Sequence, residues 1–108
     1  MTKKEIENIL TEKAAGYGFK LVANGVGWNA ERTDIGYISI FITEAHNEDK
    51  TDWESRKVRV DIKARANVSH MGGNPMPEEL LSAADEISRA AKLVADIQST
   101  SLSYIAEF

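Results

Sequence analysis

Residues 77–98 read PEELLSAADEISRAAKLVADIQ. Leu80, Ala83, Ile87, Ala90, Val94 and Ile97 recur at alternating steps of three and four, the spacing that places side chains on one face of an α-helix. Ala84 and Ala91 widen that stripe. Pro77 suits a first helical turn, where a missing N–H costs little. Glu78 and Glu79 stand at the positive end of the helix dipole, with Arg89 and Lys92 further along. Such a helix is about 33 Å long, close to a nine-residue strand at about 3.4 Å per residue. It is therefore sized to lie along a small sheet. Its alanine-rich stripe predicts close packing against that sheet, a scaffold role.

Outward from this helix, the clearest strand is 56–66. Val58, Val60, Ile62, Ala64 and Ala66 alternate with Lys57, Arg59, Asp61, Lys63 and Arg65, the pattern of a sheet with one buried and one wet face. Residues 35–43 are rich in β-branched and aromatic side chains and predict a second strand, with Ile38, Ile40 and Ile42 on one side and Tyr37, Ser39 and Phe41 on the other. Residues 19–28 predict one further strand, interrupted by Gly25 and Gly27, and the polar stretch 29–34 predicts a turn. Residues 2–15 predict a first helix. Thr2 and Glu5 have capping-box spacing, and Ile6, Ile9, Leu10 and Ala14 form its apolar stripe. Near residues 99–101 the long helix should break, followed by a short packed segment at 102–108. The expectation is one α+β domain of order α-β-β-β-α. Its three-stranded antiparallel sheet carries both helices on one face, and the C-terminal segment pairs or packs.

The chain's 108 residues match the common size of a single domain. There is no cysteine, which excludes a disulfide framework and thiolate chemistry. No run approaches the ~18–20 apolar residues of a membrane span, and the charged start MTKKE lacks an apolar signal region. A soluble cytoplasmic protein is expected. The formal net charge of −4 argues against a generic nucleic-acid binder.

Two surfaces could carry function. Residues 44–55 form a long polar connection with Glu44, Glu48, Asp49, Asp52 and Glu54 against Lys50 alone, and Trp53 beside them. Acids of this density can mimic phosphates and occupy a basic surface on a larger protein, and tryptophan is a good interface anchor. Arg56, Lys57, Arg59, Lys63 and Arg65 are five of the thirteen basic residues. With Tyr37 and Phe41 on the neighbouring strand, they could meet phosphates and stack bases. The order α-β-β-β-α resembles that of double-stranded-RNA-binding domains, but those carry a basic cluster where this chain has Glu78 and Glu79, so their function is not carried over.

Catalytic spacing is lacking. The acids and His46 of the 44–55 connection have neither EF-hand spacing nor its turn glycine. His70 stands without a second motif, and Gly72-Gly73 lacks the Gly-Lys-Ser/Thr ending of a P-loop. No enzyme activity, metal or cofactor is expected. The reading is a small acidic protein-binding module of inhibitor, immunity or adaptor type, acting through Glu44, Glu48, Asp49, Asp52, Trp53 and Glu54 or the exposed sheet face. The alternative is a nucleic-acid or anion binder using Tyr37, Phe41, Lys57, Arg59, Lys63 and Arg65. No membrane contact is expected, and a homodimer would form through the outer sheet face.

Overall fold

The first helix starts where the sequence places its cap: Thr2 Oγ1 accepts the Glu5 N–H at 3.2 Å. A computed structural model describes residues 2–32, 36–45, 57–67 and 73–105. Its elements run α1 (Lys3–Gly16), β1 (Lys20–Ala23), β2 (Gly27–Glu31), β3 (Ile38–Ala45), β4 (Lys57–Ala66), α2 (Pro77–Gln98) and β5 (Ser103–Ile105). The strands form one sheet in the order β1-β2-β3-β4-β5, every neighbouring pair antiparallel.

Among the described residues the expected three strands are thus five. What reads as a single strand over 19–28 folds back on itself. Asn24 and Gly27 close a two-residue loop, Gly25-Val26, with the Asn24 N–H donating to the Gly27 carbonyl at 3.0 Å and the Val26 N–H to Asn24 Oδ1 at 3.1 Å. Gly25 takes φ +90°, the left-handed conformation that tight hairpins require at their first central position. Gly27 passes so close to β3 that any Cβ there would run into the Ile42 carbonyl. The glycines that weaken the strand pattern therefore mark a turn. The expected turn over 29–34 is corrected too, since Asn29, Ala30 and Glu31 belong to β2. After α2 the chain breaks at Ser99, Leu102 is buried, and β5 pairs with the start of β4.

The helices do not both lie along a three-stranded face as expected. α1 contacts the edge strands β1 and β5, at the two ends of the sheet, while α2 contacts β4 and β3, and the helices touch each other. At that contact Lys13 Nζ reaches Asp96 Oδ1 at 2.7 Å and the Tyr17 hydroxyl donates to Asp96 Oδ2 at 3.2 Å. The Lys13 hydrogen bond is the main reason the Asp96 carboxyl sits below its ordinary pKa. Ile6, Leu10 and Ala14 of α1 join Trp28, Ala30, Ile40, Ile42 and Ile62 of the sheet and Ala90, Leu93 and Ile97 of α2 in one core.

α2 has the predicted ends but a different rotation. Its buried residues are Ala83, Glu86, Ala90, Leu93 and Ile97, whereas Leu80 and Ile87 are each 48% exposed. Glu86 explains the difference. Its side chain is buried, and its carboxylate accepts the backbone N–H of Tyr37 at 2.6 Å and of Ile38 at 3.4 Å, where β3 begins. Gly36 leaves room for it, as a Cβ there would lie 3.1 Å from Glu86 Oε1. Ala64 and Ala66, expected on the buried side of β4, are also exposed.

Glu86→Ala is expected to lower the unfolding free energy by about 1–3 kcal/mol, the cost of leaving buried polar groups without a partner. Glu86→Gln, which keeps an acceptor oxygen, should lose less. Urea denaturation of the three proteins decides it, and an unchanged midpoint for Glu86→Ala would show that the contact carries no weight.

Candidate interaction surface

Strand register brings the basic residues and Phe41 onto one face. Phe41 lies opposite Lys63, Ser39 opposite Arg65, Thr43 opposite Asp61 and Ala45 opposite Arg59. Asn29 is the partner of Phe41 on the other side, and Val22 is the partner of Asn29. Val22, Asn29, Phe41 and Lys63 thus form a row across four strands. Phe41 is 40% exposed, and Lys57, Arg59, Asp61, Lys63 and Arg65 all face solvent. No ion pair engages Lys57, Arg59, Lys63 or Arg65 with another described residue.

Edge strand β1 adds Lys20, opposite Glu31 of β2. Among the described residues this outer face carries five cations (Lys20, Lys57, Arg59, Lys63 and Arg65) against the carboxylates of Glu31 and Asp61, on a chain of net charge −4. The charge is segregated, so the face is electropositive on an acidic molecule. Beside Phe41 lies a depression of about 260 Å³ lined by Asn29, Glu31, Arg32, Ser39 and Asn67, in which Asn67 Nδ2 donates to Ser39 Oγ at 2.6 Å. Tyr37 is half-buried just before β3, its carbonyl accepting the Asn67 N–H at 2.7 Å.

The acidic set is not brought together in the same way. Glu44 belongs to β3, where Lys3 Nζ lies 2.9 Å from its Oε1 and the Tyr104 hydroxyl donates to its Oε2 at 2.9 Å. Lys3 also sits 5.9 Å from the centroid of the buried Trp28 ring, and Trp28 Nε1 donates to Glu7 Oε2 at 3.2 Å. Glu44 therefore ties α1 and β5 to the sheet, and its carboxylate is not presented to a partner. Glu48, Asp49, Asp52, Trp53 and Glu54 lie outside the described residues, as do His46, Arg56 and His70. Among the described residues no group of three His, Cys, Asp or Glu side chains could hold a metal ion, and no helix is long and apolar enough to cross a membrane.

The sequence pattern did not single out Lys20, Val22 and Asn29, because they reach this face only once β1 and β2 form a hairpin. The signal for that hairpin is Gly25 at the first of its two central positions, between two short apolar runs. Comparison with protein-family models, with curated protein sequences and with solved structures finds no match to the chain. Clustered ammonium and guanidinium groups around an exposed ring can hold carboxylates or phosphates.

The Glu44 contact carries a pH signature. Burial, then the hydrogen bond to Glu44 and its negative charge, push the Tyr104 hydroxyl from its ordinary 10.0 up to about 12. A raised folded pKa adds stability that is complete below the ordinary value and is withdrawn as pH climbs through the folded one. Thermal melts should therefore hold steady up to pH 10 and fall toward pH 12. Tyr104→Phe is expected to flatten that alkaline limb, and an unchanged limb would rule Tyr104 out as its source.

Proposed function

We propose that the chain is a small protein-binding module whose working surface is the outer face of the sheet, where it takes an acidic surface of a larger protein. One observation carries this: five cations share one face of an otherwise acidic chain with the exposed Phe41, Lys63 standing directly opposite the ring. A ring flanked by cations supplies an apolar anchor with charged surroundings, the combination that concentrates binding energy at interfaces. Asp61 and Glu31 break the cationic track, which suits a partner of mixed polarity better than a continuous phosphate backbone. Asn29, Ser39 and Asn67 add neutral donors and acceptors beside the ring. The acidic segment 44–55 is the other surface for the same role, with Glu44 withdrawn from it by Lys3 and Tyr104.

A second reading is single-stranded nucleic acid, favoured by Phe41 standing directly opposite Lys63 with Arg65 nearby. It requires stacking on Phe41 and a steep loss of affinity with salt.

Affinity capture with the full chain from nuclease-treated lysate of the native host should retain a partner protein. Lys63→Glu with Arg65→Glu is expected to cut its recovery at least about tenfold, equivalent to ~1.4 kcal/mol, while Asp49→Lys with Asp52→Lys leaves it unchanged. The reverse outcome would move the working surface to the acidic segment. Retardation of short single-stranded DNA or RNA at low salt, abolished by the Lys63/Arg65 pair and by Phe41→Ala, would replace this reading with the second.

A further inference from the structure

α2 is apolar around more of its circumference than the fold uses. About a third of a turn from its buried face, Leu80, Ala84, Ile87 and Ala91 follow one another at steps of four, three and four, and all four are exposed. Leu81 is 72% exposed and Met76, just before the helix, 59%. Ser88 and Ala95 extend the same side and are exposed as well. A surface helix normally gives this position to charged residues, and contiguous exposed apolar surface of this kind marks an association site.

We propose that this face pairs antiparallel with α2 of a second copy of the chain, about an axis passing between Ile87 and Ser88. In that register Ala84 faces the second copy's Ala91 and Leu80 lies level with its Ala95, while the two Ile87 side chains meet on one side of the axis and the two Ser88 side chains on the other. The two helices can therefore approach closely, and knobs enter holes along the seam. The charges select the same arrangement. Asp85 and Lys92 lie on one flank of the exposed face, on opposite sides of the axis. A two-fold axis across the helix brings Asp85 of each copy toward Lys92 of the other, twice over. A parallel pairing would carry this flank of the second copy to the opposite side of the seam, so Asp85 and Lys92 would not meet. Within one chain Arg89 Nε holds Asp85 Oδ2 at 2.9 Å, and Arg32 Nη1 lies 3.9 Å from the same oxygen. Arg89 lies further round the helix than Asp85, so this contact holds the Asp85 carboxylate on its flank, clear of the apolar stripe.

The occupant is a second copy because the alanines at 84 and 91 meet across the axis and the charges at 85 and 92 are complementary to those of the second copy. This surface does not include the outer sheet face, so the pairing stands or falls independently of the function proposed above.

Light scattering on the full chain at about 100 µM, a concentration at which even modest self-association registers, should report twice the 11.9 kDa of one chain. Ile87→Glu with Ala91→Glu changes only exposed positions, and is expected to give a monomer with an unchanged circular-dichroism spectrum. Asp85→Lys with Lys92→Asp should pair with itself yet bind the parent chain at least about tenfold more weakly, a difference of ~1.4 kcal/mol. Because the chain has no cysteine, single cysteines report orientation. Ser88→Cys should oxidise to a disulfide-linked dimer. Leu81→Cys should not, since its two copies would be about 20 Å apart at 1.5 Å per residue. A monomer at that concentration, a dimer that survives Ile87→Glu with Ala91→Glu, or cross-linking at Leu81→Cys in place of Ser88→Cys overturns the proposal. So does a monomeric chain that binds an amphipathic helix of another protein at this face.

Discussion

The Glu86 carboxylate, buried against the N–H groups of Tyr37 and Ile38, sets the rotation of α2 and so decides which residues enter the core. A buried charge is costly unless it is hydrogen-bonded. Here two backbone donors at the start of β3 supply that compensation, and charge-assisted bonds are the stronger kind. The competing rotation would put Leu80 and Ile87 inward, each worth about 1.5–3 kcal/mol on full burial. It would also turn Leu93 away from the core and pull Glu86 off its donors, while Ile97 stays inward in both. The apolar count therefore favours the competing rotation, with Leu93 offsetting only part of the gain from Leu80 and Ile87. The observed rotation keeps the carboxylate on its donors against that apolar preference, and the excess apolar surface is left on the outside of the helix.

The same sequence pattern shows why the helix's length was legible and its rotation was not. Pro77, the acidic first turn and the polar break at Ser99 are local signals, and they mark both ends of α2. Rotation is a competition between two apolar arcs on one helix, and counting apolar residues favours the wrong one. Ala83, Glu86, Ala90, Leu93 and Ile97 also alternate steps of three and four. That series is hidden only by the assumption that a glutamate faces water. The hairpin of β1 and β2 was missed for a related reason: Gly25 and Gly27 lower strand propensity, but here their lack of a Cβ is what the turn and the close approach to β3 require. Both errors treat a residue by its average preference where a single tertiary contact overrides it.

The surface divides along similar lines. The alternation in β4 correctly separated Val58 and Ile62 from Lys57, Arg59, Lys63 and Arg65, because a period of two follows from strand geometry alone. It could not show that Phe41 stands opposite Lys63, which depends on register between strands separated by the whole 44–55 connection. Nor could it show that Glu44 turns back into the fold. Glu44 has the parity of Ile40 and Ile42, so its side chain points toward the helices, and Lys3 and Tyr104 meet it there. An acidic residue at the edge of an acidic run reads as part of that run, yet strand parity assigns it to the other side of the sheet.

Between them, the rotation of α2 and the parity of the strands leave two distinct surfaces: an apolar helix side and a basic sheet face. They share no residue, so pairing through α2 leaves the outer face of each copy open. A pair of chains would then present two basic faces in a fixed relation. Against a partner with two acidic sites, the second contact becomes intramolecular, and avidity can exceed a single contact by about 10²–10⁴ where the spacing matches. A face of five cations and one exposed ring offers modest affinity by itself, since exposed ion pairs contribute about 0.2–1 kcal/mol each. Doubling the face is a physical route from a weak surface to a selective one. It uses the apolar side that the Glu86 contact leaves exposed.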